Sequence, residues 1–125
     1  MQMARLLVID DDGLTRKVWK TILEDAGHEV RLAENGREGL DLFREHGADL
    51  IITDIIMPEM DGLEVIMELW RDFPDVKVIA ASGGTHRMNP KMCLANARAL
   101  GALRTLEKPI RGPELVAAVA ELLAS

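Results

Sequence analysis

The chain has 125 residues, 48% of them hydrophobic, and its 21 acidic and 15 basic side chains leave a net charge of −6. A chain of this length suits one domain, which we expect to span residues 1–125, and its one cysteine, Cys93, excludes an internal disulfide. The negative charge without a basic cluster argues against nucleic-acid binding, and without a signal peptide or a membrane-span-length apolar stretch we expect a cytoplasmic protein.

Short apolar runs alternate with helical patterns along the chain. Residues 6–9, 50–53 and 76–80 are dense in β-branched and aliphatic side chains, which predicts strands that are buried on both faces. Residues 29–33 and 103–106 are weaker strand candidates. Five strands are therefore predicted.

A helical pattern follows each predicted strand. In residues 14–26, Leu14, Val18 and Ile22 recur every four positions, and Gly27 follows as a stop signal. The other helices are predicted over residues 36–46, 62–73, 90–100 and 113–124. This β–α alternation predicts a doubly wound α/β fold, with a parallel sheet and helices on both of its faces.

The two tryptophans and two of the histidines are interpreted as structural side chains. Trp19 and Trp70 fall in predicted helices, where tryptophan more often packs into the core, although Trp70 could also belong to a partner-binding surface. His28 and His46 fall at helix-to-strand turns, and we expect both at the surface.

Charged and hydroxyl side chains follow four of the strands, and in an open parallel sheet ligands bind beyond these carboxyl ends. They are Asp10, Asp11 and Asp12 after the first strand, Asp54 after the third, Ser82 after the fourth and Lys108 after the fifth. Clustered carboxylates without a nearby histidine or cysteine suit Mg²⁺. A lysine and a hydroxyl placed opposite would stabilise charge on a phosphoryl group.

One carboxylate of this set is then free to act as the nucleophile. Asp54 is the best candidate because it stands alone in its loop, whereas Asp10 and Asp11 can share the metal. Asp12 is expected to cap the first helix instead. The pattern indicates phosphoryl transfer to an aspartate.

Four motifs in this order resemble the receiver domain of two-component response regulators, the CheY-like family. They are VIDDD (8–12), TDIIMPEMDG (53–62), AASGG (80–84) and EKPI (107–110), and the resemblance covers essentially the whole chain. It implies a flavodoxin-like, five-stranded parallel sheet of order 2-1-3-4-5.

The resemblance also implies roles for the site residues. Asp54 would be the phosphoacceptor, Asp11 and Asp54 would bind Mg²⁺ directly, and Asp10 would bind it mainly through water. The main-chain carbonyl of Ile56 would be the third protein ligand. Two further residues would contact the phosphoryl group, namely Ser82 and Lys108, and the bond from Lys108 to Pro109 is often cis in this family.

A signalling role follows from the resemblance, in which the chain catalyses only its own phosphorylation and dephosphorylation. A sensor histidine kinase or a histidine phosphotransfer protein would donate the phosphoryl group. The surface formed by residues 90–100, 103–106 and 113–124 would then bind an unknown downstream protein. A phosphorylation-dependent homodimer is an open alternative.

Two positions depart from the family pattern. Many receivers carry an aromatic switch residue three places before the lysine, but this chain has Thr105 there and no tyrosine at all. We therefore expect signalling through Ser82 and the loop after it. Ile56 is apolar where many relatives present a polar side chain that orients water, and we hypothesise a long-lived acyl phosphate.

Two other functions compete with this interpretation. The chain could be a docking module that does not depend on phosphorylation, although the complete set of site residues argues against it. The segment DDDGLT also resembles the motif of haloacid-dehalogenase-like phosphatases, with Asp10 as the nucleophile and Asp12 as the acid/base. An acidic pair expected later in that family is missing, and so is sequence for a substrate cap.

Overall fold

Strands and helices alternate through residues 3–55, 62–82 and 103–124, which are the residues that the computed structural model describes. The elements are β1 (Arg5–Ile9), α1 (Gly13–Asp25), β2 (Glu29–Ala33), α2 (Gly36–His46), β3 (Leu50–Asp54), α3 (Gly62–Asp72), β4 (Val78–Ser82), β5 (Arg104–Glu107) and α4 (Gly112–Ala124). The helix predicted over residues 90–100 lies outside the described residues, as do Ile56 and Cys93.

The five strands form one parallel sheet of order β2-β1-β3-β4-β5. This confirms the doubly wound α/β fold and the strand order that the resemblance implied. Every residue of β3 and β4 is buried, whereas the edge strands β2 and β5 alternate or are partly exposed. The position in the sheet therefore explains why the edge strands have the weaker apolar pattern.

Two apolar layers cover the faces of the sheet. On one face, α2 and α3 pack through the buried side chains Leu40, Phe43, Val65, Ile66 and Leu69. On the other face, α1 and α4 pack through Trp19, Leu23, Leu115, Ala118 and Val119. Among the described helices, none combines the length and the apolar character that crossing a bilayer requires.

Two strands lie one or two residues later in the chain than predicted, and β1 and β3 are each one residue longer than predicted. The fourth strand was predicted over residues 76–80, but the amide of Val76 donates to the Phe73 carbonyl in a turn, and the strand runs over Val78–Ser82. The fifth begins and ends one residue later than predicted, because its ladder continues until Glu107 lies opposite Ser82. Pairing with the neighbouring strand, rather than side-chain composition, sets these ends.

The predicted apolar stripe of the first helix is wrong at its first two positions, whereas its third residue, Ile22, is half-buried. Leu14 and Val18 are 71% and 46% exposed, and the buried side chains of α1 are Trp19 and Leu23. The reason is that α1 turns this second set of residues toward the sheet and α4, in the layer that contains Leu115. Leu14 and Val18 are consequently left exposed beside Lys108, at the carboxyl end of the sheet.

Two of the four predictions about tryptophan and histidine side chains also need correction. Trp19 is buried as expected, but Trp70 is 50% exposed on α3 and does not pack in the core. His46 is exposed, as predicted, whereas His28 is buried. Its Nδ1 accepts a hydrogen bond from the amide of Ala4 at 3.2 Å, so the ring replaces a backbone partner beside β1.

Candidate functional site

The carboxyl ends of four strands bring together the side chains that the sequence singled out. Asp10 follows β1 and Lys108 follows β5, whereas Asp54 and Ser82 are the last residues of β3 and β4. The amide of Lys108 donates to the Ser82 carbonyl at 2.9 Å, which ties the lysine loop to the end of β4. The bond between Lys108 and Pro109 is cis.

Three carboxylates form the acidic part of this site. Asp10, Asp11 and Asp54 each offer an oxygen, and these oxygens all lie within 4.8 Å of one another. Asp10 is fully buried and Asp54 is 6% exposed, while Asp11 faces solvent. An all-oxygen set with one open side suits a hard, partly hydrated cation such as Mg²⁺.

Lys108 supplies the positive charge that faces these acids. Its ammonium nitrogen lies 2.8 Å from Oδ2 of Asp10 and 3.5 Å from Oδ1 of Asp54. The other carboxylate oxygen of Asp10, Oδ1, accepts a hydrogen bond from the amide of Asp12 at 2.9 Å. Both oxygens of Asp10 are therefore engaged by the protein itself.

The pKa of Asp54 is raised, mainly because the carboxyl group is buried. Burial raises this pKa from 3.8 to about 6; the charge of Lys108 opposes the rise, and the charges of Asp10 and Asp11 add to it. Burial on its own would lower the pKa of Lys108, but the hydrogen bond to Asp10 and the charges of Asp54 and Asp10 together raise it. Lys108 is thus a stable cation beside a carboxyl group that is costly to ionise.

Asp12 has a different place from its two neighbours. It is the N-cap of α1, where Oδ2 accepts a hydrogen bond from the amide of Thr15 at 3.1 Å. Hydrogen bonds from the hydroxyl and the amide of Thr15 lower the pKa of Asp12. The helix-capping prediction is confirmed.

Two residues near the site were missed by the sequence reasoning. Nη1 of Arg16 donates to the carbonyl of Asp10 at 2.6 Å, and the ring of Trp19 lies under the ammonium of Lys108. Helical spacing places both residues on α1 but gives no signal for contacts with β1 or with the loop after β5.

Thr105, the residue at the usual aromatic position, is half-buried in β5 opposite Ala80.

Comparison with known sequences gives a consistent result. The sequence model of the response regulator receiver domain matches residues 6–120. Chemotaxis protein CheY of Thermotoga maritima is 34% identical over 116 residues, which cover 92% of this chain and 93% of that protein. Response regulator MprA of Mycolicibacterium vanbaalenii is 36% identical over 95% of this chain, but the match spans only 50% of MprA.

Solved structures agree with the sequence matches. A response regulator receiver domain protein from Clostridium thermocellum has a TM-score of 0.87 and 31% identity, covering 97% of this chain and 94% of that one. Chemotaxis protein CheY4 of Vibrio cholerae has a TM-score of 0.85 and 29% identity, covering 96% and 98%. The strand order, the acidic edge with its lysine and the family match lead to one conclusion: the chain belongs to the response regulator receiver domain family of two-component signalling.

Proposed function

We propose that this receiver domain accepts a phosphoryl group on Asp54 from a phosphohistidine of a sensor kinase or of a histidine phosphotransfer protein. The proposal rests on the charged groups around the Asp54 carboxylate and on its burial. Its carboxylate is almost fully buried, lies within 4.8 Å of two other carboxylates, and faces the Lys108 ammonium at 3.5 Å. A nucleophilic carboxylate between a cation site and an ammonium suits phosphoryl transfer.

The donor set fits Mg²⁺. Asp11 and Asp54 would bind the ion directly and Asp10 mainly through water, which agrees with the engagement of both Asp10 oxygens by Lys108 and Asp12. The carbonyl of Ile56, outside the described residues, is proposed as the third protein ligand. When bound, Mg²⁺ neutralises the carboxylates and the negative charge of the phosphoryl oxygens.

The chain's own residues would carry the transfer. An oxygen of Asp54 forms a bond to phosphorus as the P–N bond of the phosphohistidine breaks, and the imidazole leaves with the bonding electrons and takes up a proton. The Lys108 ammonium moves toward a phosphoryl oxygen, and the Ser82 hydroxyl donates to another. Dephosphorylation would be a second displacement. Water attacks phosphorus, the P–O bond to Asp54 breaks, and the carboxylate and inorganic phosphate are released. The chain therefore turns over only its own phosphoryl group.

The phosphoryl group would alter the surface that a partner reads. The order of events we propose runs from Asp54 to Ser82 and the loop after it, because Thr105 offers no aromatic ring to change rotamer. The partner-binding surface includes α4 and β5, and its downstream protein is unknown. A homodimer formed on phosphorylation is the alternative to such a partner. We propose that the signalling takes place in the cytoplasm.

The first experiment is intact mass spectrometry after incubation with phosphoramidate, whose P–N bond stands for that of phosphohistidine. Wild type and Asp54→Asn are compared with Mg²⁺ and with EDTA. Asp41→Asn is the matched control, because Asp41 is an exposed aspartate of α2 away from the site. We expect one phosphoryl group on wild type and on Asp41→Asn with Mg²⁺, and none on Asp54→Asn or in EDTA.

Other outcomes assign the other functions. No adduct on wild type, with Mg²⁺ binding demonstrated by titration, would contradict the proposal and favour a docking module. An adduct that persists in Asp54→Asn and disappears in Asp10→Asn would favour the phosphatase-like chemistry. The capping of α1 by Asp12 and the pairing of Asp10 with Lys108 both count against that second outcome.

A further inference from the structure

The face of one buried aromatic ring lies against the cation of the site. The ammonium nitrogen of Lys108 is 5.5 Å from the centre of the Trp19 ring, and Trp19 is only 4% exposed. This distance is within the range of a cation–π contact, for which tryptophan is the strongest partner. The ammonium therefore has two carboxylates on one side and an indole on another.

The Lys108 side chain has room to move away from the two carboxylates. A groove of about 490 Å³ opens beside the lysine, lined by Leu14, Thr15, Val18, Trp19, Lys108, Pro109 and Ile110. A lysine has a flexible four-carbon stem, and open space next to it allows the ammonium to swing away from its partners. Asp10 binds the ammonium directly, but Asp54 is 0.7 Å further away (3.5 against 2.8 Å).

We propose that Trp19 is a positioning residue, whose indole face holds the Lys108 ammonium over the gap between Asp10 and Asp54. Trp19 would not contact the phosphoryl group; it would act through Lys108. This inference rests on the proposed function for its effect on phosphorylation, but the contact itself is independent of that function. The other tryptophan, Trp70, lies half-exposed on α3 and serves as the control.

The contact is tested first by NMR on the unphosphorylated wild type. Protons over an aromatic face are shifted upfield by the ring current, so the ε-methylene of Lys108 is expected upfield of that of the exposed Lys17. The resonance is identified by its loss in Lys108→Met. A smaller upfield shift is expected in Trp19→Phe and none in Trp19→Leu, while Trp70→Leu leaves it in place.

The functional effect is tested by the rate of phosphorylation by phosphoramidate with Mg²⁺. We expect Trp19→Leu to slow the reaction by about two- to tenfold and Trp19→Phe to recover part of the rate. Both variants are assayed well below their unfolding temperatures. In a Lys108→Met background the same substitutions at Trp19 are expected to have no further effect, because the residue acts through the lysine.

Three results distinguish failure of the Trp19 proposal from failure of the proposed phosphoacceptor function. A Lys108 ε-methylene that resonates with Lys17 in wild type would overturn the proposal, even if the Trp19 variants fail to fold. An equal slowing by Trp19→Leu with and without Lys108 would also overturn it, since Trp19 would then act through packing alone. If wild type takes up no phosphoryl group, the proposed function fails, and the NMR shift still decides whether Trp19 positions Lys108.

Discussion

The ammonium nitrogen of Lys108 lies 2.8 Å from Oδ2 of Asp10, a fully buried carboxylate 98 residues earlier in the chain. The same nitrogen is 3.5 Å from Asp54. A buried carboxylate without a cation is costly, so this one ammonium compensates two acids. It also joins the ends of β1, β3 and β5, so the lysine that would serve the proposed phosphoryl transfer also holds three strand ends together.

Removing the Lys108 charge is therefore expected to destabilise the fold when no divalent cation is present. Lys108→Met leaves Asp10 and Asp54 without their counter-ion, and we expect a loss of about 2–4 kcal/mol in the free energy of unfolding. Urea unfolding at pH 7 in EDTA measures it, with the exposed Lys17→Met as control. Saturating Mg²⁺ should recover part of the loss, and equal stabilities of the two variants would contradict the compensation.

The raised pKa of Asp54 predicts a pH dependence with a definite sign. The folded state holds this proton up to a pKa of about 6, against 3.8 for an ordinary aspartate. Between these values the folded state binds more protons than the unfolded state, so the free energy of unfolding falls as the pH rises. Asp54→Asn removes this dependence and should be more stable than wild type above pH 6, by on the order of 3 kcal/mol.

The measurement is a series of urea titrations in EDTA from pH 4 to pH 7.5 for wild type, Asp54→Asn and Asp41→Asn. The advantage of Asp54→Asn should be small near pH 4 and grow until about pH 7. Adding Mg²⁺ at pH 7 should stabilise wild type more than Asp54→Asn, because the proposed site would bind the ion through the ionised carboxylate. A difference that is independent of pH would contradict this account.

His28 is expected to act in the opposite direction. Burial lowers its pKa below the ordinary 6.5, and Nδ1 must stay unprotonated to accept the Ala4 amide. Stability from this group is present above pH 6.5 and is lost as the pH falls through the lowered pKa. Loss of the hydrogen bond alone would cost about 1 kcal/mol.

The variant His28→Asn tests this, because its Oδ1 can accept from Ala4 without titrating. Measured in the Asp54→Asn background, which removes the opposing effect, the stability of the parent should fall relative to His28→Asn as the pH falls below 6.5. His46→Asn is the control, since His46 is exposed at the end of α2. Parallel pH profiles of parent and His28→Asn would rule out His28 as the source.

Gly39 should not tolerate a side chain, although alanine is the better helix former. A Cβ at this position of α2 would lie 2.3 Å from Cδ1 and 2.7 Å from Cγ1 of Ile9, which is fully buried in β1. We expect Gly39→Ala to lose about 1–3 kcal/mol of unfolding free energy, despite a helix-propensity gain of about 1 kcal/mol.

The double variant Gly39→Ala/Ile9→Val provides the check, because valine lacks the Cδ1 atom. Thermal or urea unfolding should show that Gly39→Ala costs less in the Ile9→Val background than in wild type. Gly112→Ala is the control, since the Cβ there would meet Ile22 at an ordinary 3.5 Å. Equal costs in the two backgrounds would mean that the close approach to Ile9 is not the cause.

Sequence patterns alone predict the order of the elements and the edge of the sheet at which the candidate site lies. Apolar runs such as residues 50–53 must be buried on both faces, and the β–α alternation leaves a parallel sheet as the arrangement that buries them. Polar residues directly after such strands then meet at one edge, which is why Asp10, Asp54 and Lys108 could be named from their positions alone.

The faces that these elements bury and the partners that they contact depend on tertiary packing. Leu14 and Val18 have the spacing of a buried stripe, but the burial of α1 depends on α4 and the sheet, which turn Trp19 and Leu23 inward instead. His28 is buried because the amide of Ala4 needs an acceptor there, a requirement set by a neighbouring segment.

The contact between Trp19 and Lys108 belongs to the same class. The two residues lie on α1 and in the loop after β5, and no local pattern connects them. A side chain's periodicity reports its own helix, whereas its burial and its partners depend on packing between elements far apart in the chain. For that reason the composition of the acidic site followed from the sequence, and the orientation of its lysine required the fold.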